Sequence, residues 1–399
     1  MIYLDWAATA VPDAPLLAKA FEEGIGAFGN PSSPHAVGAR AKALLSSARE
    51  MLLSALFPGI PSALRGLVAF TGSGTEADQI PFLSLLRPRQ DSRRQTAKPH
   101  ILVSAIEHAA IHEQALVLKS LGWELDWLRP DPDGRIAPST LASTLKPDTK
   151  LVAIMALNNE TGAIQDIEAL SSVLKAAEGS VFPRGKRPHF HVDCVQGLGK
   201  LNVGFLRTCA DSAAFSAHKL GGPKGTGALW LAKPLEVLAP GGGQEGGMRG
   251  GTENLAGAIA FSLCATKAEE RRESDHVRAS QLERRLLSGL ASIRNALPLP
   301  LSRVAGDARW CPNIVSIAFP GLGGEVMVRA MSDIGIFIST GSACSHSGRK
   351  AKGRRVLEAM GVPEELSFSA VRVSTGPDTK PEEIDVFLQA ASDIYRRLA

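Results

Sequence analysis

Imine chemistry on a lysine is the first possibility this sequence raises. Ser216-Ala-His-Lys219 runs straight into Gly-Gly-Pro-Lys-Gly-Thr-Gly, which sets one lysine beside hydroxyl and imidazole donors. A lysine amine condenses with an aldehyde once desolvation or a nearby cation lets it shed its proton, and the product is a Schiff base. Upstream, His189-Phe-His-Val-Asp-Cys-Val-Gln196 reads as a buried strand ending in Asp193, a carboxylate suited to keep a pyridinium nitrogen protonated. Further upstream, Phe70-Thr-Gly-Ser-Gly-Thr-Glu76 follows a short apolar run and opens a helical pattern, whose N–H groups and dipole suit a phosphate. Three partial sites point to one ligand, pyridoxal phosphate (PLP).

The elements that must position these residues follow an α/β pattern. Short β-type runs at 68–70, 101–104, 151–155, 190–193 and 228–231 alternate with helical segments. Val37, Ala41, Leu44, Ala48, Leu52 and Ala55 recur at helical spacing, as do Ile111, Ala115 and Leu118, and both sets read as core faces. After glycine-rich 241–251, Leu282, Leu286, Leu290 and Ile293 mark a long amphipathic stretch, and a domain boundary is placed near residue 256. Thr379-Lys-Pro-Glu382 has the form of a capping box opening a last helix, with Ile384, Phe387, Leu388, Ala391, Ile394, Tyr395 and Leu398 on one face.

With 399 residues, the chain exceeds the size at which one core keeps growing, so two domains are expected. A net charge of +4 gives no reason to expect nucleic acid as a partner. No apolar run reaches the roughly 18 residues of a membrane span, and the start lacks a secretion pattern. Cysteines at 194, 209, 264, 311 and 344 form no disulfide or zinc framework, so a reducing cytoplasm is the expected location.

Each motif alone has a plainer meaning. Gly-Ser-Gly-Thr is more often a turn than a phosphate site, and no Gly-Lys-Ser/Thr ending makes a P-loop here. Ser216-x-x-Lys219 matches the serine–lysine pair of penicillin-binding proteins, but the Ser-Asp-Asn and Lys-Thr-Gly companions are missing. His189, His191 and Asp193 suggest metal ligands, yet their period of two is ordinary strand alternation, and no metal is expected. Cys194 reads as a buried small hydrophobe. The basic stretch 87–98 reads as a solvated insertion.

The order of the motifs says more than any one of them. Tyr3-Leu-Asp-Trp-Ala-Ala-Thr9, Gly29-Asn-Pro-Ser-Ser33, residues 71–76, Glu107-His108, Asn158-Asn-Glu-Thr-Gly162, residues 193–196, residues 216–225, Gly241-Gly-Gly-Gln-Glu245, Arg249-Gly-Gly-Thr252-Glu-Asn254 and Ser339-Thr-Gly-Ser-Ala-Cys344 follow one another in a familiar sequence. Over nearly its whole length the chain resembles cysteine desulfurases of the NifS/IscS type, in the class V aminotransferase group of fold-type I PLP enzymes. The resemblance implies a large PLP-binding domain at 13–255 with a mostly parallel central sheet. It also implies a smaller α+β domain, from 1–12 and 256–399, that carries a catalytic cysteine loop.

Residue by residue, the resemblance implies that Lys219 holds the cofactor and shuttles the substrate Cα proton. It implies that His108 is catalytic, stacking on the pyridine ring and moving protons, that Asp193 pairs with the ring nitrogen, and that Gln196 bonds its phenolic oxygen. Gly74, Thr75, Ser216 and His218 would cradle the phosphate, joined by Thr252 from the second subunit of a homodimer. Asn158 and Arg372 would fix the substrate carboxylate, for which guanidinium offers a two-pronged fork.

Cys344 separates a desulfurase from an ordinary aminotransferase, because a thiolate must accept the departing sulfur. The implied reaction turns L-cysteine into L-alanine and leaves a persulfide on Cys344. That persulfide would pass to a protein acceptor such as an iron–sulfur scaffold. The chain departs from the family after Ser345, where His346-Ser-Gly-Arg-Lys-Ala-Lys-Gly-Arg-Arg355 replaces the usual run containing Ser-x-Glu-Pro. Its charges would favour the thiolate, or dock an acidic acceptor, or form a solvated helix start. Selenocysteine lyase or another class V activity, and a noncatalytic scaffold subunit, are the alternative functions.

Overall fold

The computed structural model describes residues 1–87, 98–182, 187–341 and 354–398. Its strands are β1 (Ile2–Tyr3), β2 (Leu67–Thr71), β3 (His100–Ser104), β4 (Glu124–Leu128), β5 (Thr149–Ala153), β6 (His189–Asp193), β7 (Ser212–Ser216), β8 (Gly227–Leu231), β9 (Leu297–Leu299), β10 (Ile314–Ala318), β11 (Ile336–Phe337) and β12 (Ala370–Ser374). Its helices are α1 (Ala14–Gly26), α2 (Ala36–Leu56), α3 (Gly74–Ser84), α4 (Ala109–Ser120), α5 (Pro138–Thr144), α6 (Ile167–Ala176), α7 (Leu206–Cys209), α8 (Leu255–Glu270), α9 (Arg272–Leu290), α10 (Gly324–Asp333), α11 (Arg355–Ala359), α12 (Glu364–Phe368) and α13 (Pro381–Leu398).

The β-type runs of the sequence form one sheet ordered β2-β8-β7-β6-β5-β3-β4. Only β8 runs against its neighbours, so β2, β3, β5, β6 and β7 all end on the same edge. Strands β5, β6 and β7 are buried along almost their whole length, as central strands of a mostly parallel sheet are, and their polar residues His189, His191, Asp193, Ser212 and Ser216 stand out for that reason. Ligands of open parallel sheets sit beyond the carboxyl ends of the strands. Here those ends lead into Gly74, Glu107-His108, Asn158, Asp193 and Ser216-Lys219.

A second core gathers α9, α10, α13 and the antiparallel sheet β12-β10-β9 around Leu286, Val315, Met327, Val371 and Phe387. Leu4 belongs to this core, and β1 pairs in parallel with β11, so the N-terminal residues join the C-terminal ones. Helix α8 packs instead on α1 and α2, in the core of the large sheet.

Local details adjust the sequence expectations. Val37 is 40% exposed, because α2 turns Gly38, Ala41, Leu45 and Ala48 inward instead. The expected capping box at Thr379 and Glu382 is displaced by one residue. Pro381 starts α13, the Lys380 N–H donates to Glu383 Oε2 at 2.8 Å, and Thr379 Oγ1 accepts from Gly376 N. Proline at the first helical position has no N–H to satisfy and its φ is already helical, which fixes the start there. Leu398 is exposed at the frayed end. No helix among the described residues is long and apolar enough to cross a membrane.

Candidate active site

Lys219 ends a 3₁₀ turn, residues 217–219, directly after β7. Its Nζ donates to the carbonyls of Ala7 at 2.7 Å and Ala8 at 2.8 Å. Those carbonyls lie on a strap from the N terminus that crosses the site. Ser374 Oγ accepts the Ala7 N–H, His218 O accepts the Ala10 N–H, and Gln196 Nε2 donates to Ala7 O at 2.8 Å. Burial, with the Arg372 and Lys200 charges, brings the Lys219 amine down to about 8, against the pull of Asp193 and Asp5. An amine at about 8 has roughly a tenth of its population deprotonated at pH 7, far more than an ordinary lysine, and the free amine is the form that attacks an aldehyde.

Asp193 closes β6 and is 5% exposed. One oxygen accepts the Val195 N–H at 2.9 Å. Burial first, then the nearby Asp78 charge, push its carboxyl up to about 8. Glu107 lies in the same field: Oε1 takes the Met155 N–H at 2.6 Å, while buried Oε2 meets no hydrogen-bond partner among the described residues. A carboxyl forced this far from its normal range lacks a contacting cation, and a protonated ring nitrogen would provide one.

His108 caps α4, and its Nδ1 accepts the Ala110 N–H at 3.2 Å, which leaves the ring proton on Nε2. The side chain is open to solvent on one side. Desolvation on its protein side, then the Lys219 and Arg355 charges, hold the imidazole at about 4, so it is neutral at pH 7. Arg355 donates to Ala105 O at 2.8 Å and to Glu107 O, gripping the turn that presents His108.

The start of α3 lies against the end of β7. A Cβ at Gly74 would come within 2.8 Å of Val195 Cγ2 and 3.2 Å of Ser216 Cβ, so a side chain there would fill the space between helix and strand. Ser73 caps the helix by accepting the Glu76 N–H, and Thr75 is the second residue of its first turn. His218 Nδ1 meets Thr9 Oγ1 at 3.2 Å, and burial with the Lys219 and Lys224 charges holds it at about 4. This clustering of helix N–H groups, Ser216 and His218 beside a buried amine and a buried carboxyl fits a phosphate-bearing pyridinium aldehyde.

Arg372 on β12 is 3% exposed, and donates to Asp5 Oδ1 at 2.7 Å and Asn159 O at 2.8 Å, with no partner for Nε among the described residues. Asn158 is fully buried, and its side chain is used by its own turn. Oδ1 takes the Glu160 and Thr161 N–H groups, and Nδ2 donates to Ile106 O. Thr252 is exposed and lies apart from Lys219, at a small cavity of about 120 Å³ with Gly72, Gly225, Thr226 and Arg249. Cys344 and the basic run through 353 lie outside the described residues, as does 88–97 of the basic insertion. Cys194 is fully buried and its thiol is pushed well up by burial.

Sequence reasoning gave no role to the Ala7 and Ala8 carbonyls, to Asp5, to Asp78 or to Glu160. The matching block at 3–9 was a signal for the first three, though not for their contacts. A larger cavity of about 370 Å³ lies behind the strap, between Asp13, α8, α9 and 375–378, and reaches Lys219 from the far side. Two ion pairs line it, Lys267 with Asp13 at 2.5 Å and Arg271 with Asp275 at 3.0 Å, whereas Asp193, His108 and Ser216 stand at the strand ends on the other side of Lys219.

Comparison with known proteins gives one answer throughout. The aminotransferase class-V family matches residues 2–387. The cysteine desulfurase IscS of Methylobacillus flagellatus is 34% identical, with 97% of this chain and 90% of that protein covered. Among solved structures, a NifS-like protein superposes with a TM-score of 0.85 at 30% identity, covering all of both chains. SspA in complex with cysteine gives 0.72 at 25% identity, covering 94% of this chain and 99% of that one.

Proposed function

The chain belongs to the class-V aminotransferase family, and on that premise we propose that this protein is a PLP-dependent cysteine desulfurase, acting on L-cysteine and releasing L-alanine. Lys219 carries the reading: a buried amine held at about 8, on the strand edge where Asp193 and His108 also stand. Bound PLP supplies an aldehyde for that amine and an electron sink for the substrate's Cα–H bond.

The protein's own groups do the rest. Lys219 Nζ, once free, takes and returns the Cα proton. Asp193 would pair with the ring nitrogen as a carboxylate, Gln196 would serve the phenolic oxygen, and neutral His108 would stack on the ring. Gly74, Thr75, Ser216 and His218 would hold the phosphate. Arg372, whose Nε has no partner among the described residues, would bind the substrate carboxylate, with Asn158 shaping the turn beside it.

Sulfur leaves to Cys344. The substrate C–S bond breaks as an S–S bond forms, so cysteine and the Cys344 thiol become alanine and a persulfide with atoms and electrons balanced. The Gly341 N–H donates to Ser339 Oγ at 3.1 Å, and Ser339 is itself backbone-bonded to Arg372; Cys344 follows Gly341 by three residues in the sequence.

The proposal extends to a homodimer in which Thr252 serves the partner's phosphate, to a cytoplasmic location, and to a protein sulfur acceptor such as an iron–sulfur scaffold. It also divides the chain into a cofactor domain and a smaller domain, with the expected boundary near 256 moved to the end of α8 at Glu270, because α8 packs in the core of the large sheet; residues 1–12 and those after 270 make the smaller domain. Purified protein with L-cysteine and a reductant should give alanine and sulfide in equal amounts, both lost in Cys344→Ala. Sulfide release that survives Cys344→Ala contradicts the reading. PLP-loaded protein yielding neither product transfers it to another amino acid.

A further inference from the structure

The three elements that converge on the phosphate, the ring nitrogen and the lysine are tied together beneath the site by one buried hydrogen-bonded chain. Asp78 lies one turn after Gly74 in α3, and its Oδ1 meets His191 Nε2 at 3.0 Å. His191 Nδ1 meets Ser212 Oγ at 2.7 Å, and the same hydroxyl meets His189 Nε2 at 2.7 Å. Asp78, His191 and Ser212 are 1%, 0% and 0% exposed. His191 precedes Asp193 by two residues and shares its face of β6, while Ser212 opens the strand that ends at Ser216.

Such a chain is costly to bury, and an interior of apolar side chains would pack there without demanding exact partners. Its immediate surroundings are apolar, with Ala77, Ala214, Leu229 and Leu231 packed together where α3 meets β7 and β8. Stability alone therefore gives no reason for it. What it supplies is register: each link joins a different cofactor-facing element, and a hydrogen bond fixes a lateral position that greasy contacts leave free to slide.

We propose that Asp78, His191 and Ser212 are positioning residues, a buried tie that holds the phosphate-binding end of α3 in register with Asp193 on β6 and Ser216 on β7. The proposal rests on the site being a PLP site. Burial raises the Asp78 carboxyl and holds the His191 imidazole at about 4.

The test is the affinity of the cofactor-stripped full chain for PLP and for pyridoxal, which lacks the phosphate. Both are followed by absorbance, beside the melting temperature. Asp78→Leu should weaken PLP by roughly tenfold or more, the usual penalty for losing a supporting partner. Pyridoxal affinity should stay unchanged, since the tie aligns one end of the ligand with the other, and Asp78→Asn, which can still bond His191, should recover most of the loss. Asp78→Leu binding PLP like wild type overturns the proposal, as does an equal loss for PLP and pyridoxal alongside a fall in melting. If Asp78→Leu does not fold, Ser212→Ala decides by the same PLP-against-pyridoxal criterion. Wild-type protein that takes up neither ligand overturns the cofactor reading and the tie together.

Discussion

Two clusters of buried charge in this protein are built on opposite plans. Between the large sheet and the second core, Arg303 has every N–H occupied. Nε and Nη2 donate to Glu283 at 3.2 and 2.8 Å, Nη1 to the carbonyls of Thr161 and Ile314 at 2.7 Å each, and Nη2 also to Cys311 O at 3.0 Å. Glu283 spends its other oxygen on the Gly306 N–H. Gly162 makes room, with φ +76° and a would-be Cβ only 2.5 Å from Ile314 O, where any side chain would be strained and crowded. At the strand edge, by contrast, Glu107 Oε2 and Arg372 Nε have no hydrogen-bond partner among the described residues, and Asp193 and Lys219 are both brought to about 8. The first cluster is complete and holds the turn at Asn158. The second is left wanting a cation for Asp193, an anion for Arg372 and an electrophile for Lys219, and that incompleteness marks it as the place for ligand.

Substitutions should separate the two clusters cleanly. The largest effect belongs to Lys219→Ala, which should lower alanine formation by roughly a thousandfold or more, with folding unaffected by circular dichroism. Glu283→Ala should do the reverse, lowering unfolding free energy by about 3–5 kcal/mol because Arg303 is left buried and unpaired. Denaturant titration reads it, and a loss near zero would break the contrast.

Asp193→Asn is the subtler case. The folded carboxyl titrates at about 8 against an ordinary value of 3.8, so the folded state keeps a proton that the unfolded chain gives up. Stability from this group is full below pH 3.8 and is lost as pH rises toward 8. The cofactor-free Asn variant should therefore gain about 1 kcal/mol or more at pH 8 and lose that slope, while binding PLP less tightly. Smallest of all is Asp385→Asn, which breaks an ion pair with Arg285 that is half exposed on both sides. Solvent screens such pairs, and its denaturation midpoint should stay at the wild-type value.

The same contrast explains what could be read in the sequence. The alternation of apolar runs, the acid ending β6 and the lysine after β7 are local in the chain, and local patterns locate strands and the residues at their ends. The Arg303–Glu283 pair and the Asp78–His191–Ser212 tie join side chains 20 to more than 100 residues apart, and no spacing announces them. The carbonyls of Ala7 and Ala8 hold Lys219 through backbone alone, so residue type carries no sign of it. The cap of α13 was misplaced by one residue because Pro381 outweighs Thr379 in fixing the start. His189 and His191 do alternate along a strand, but alternation hid the partner waiting on α3.

The central claim is that sulfur passes from L-cysteine to Cys344, and the mass of the protein itself tests it. PLP-loaded protein given L-cysteine without reductant should gain sulfur on the peptide containing Cys344, in step with alanine formed in the first turnover, and Cys344→Ala should gain none. Alanine formed with Cys344 unmodified, or sulfur found on another cysteine instead, would contradict it.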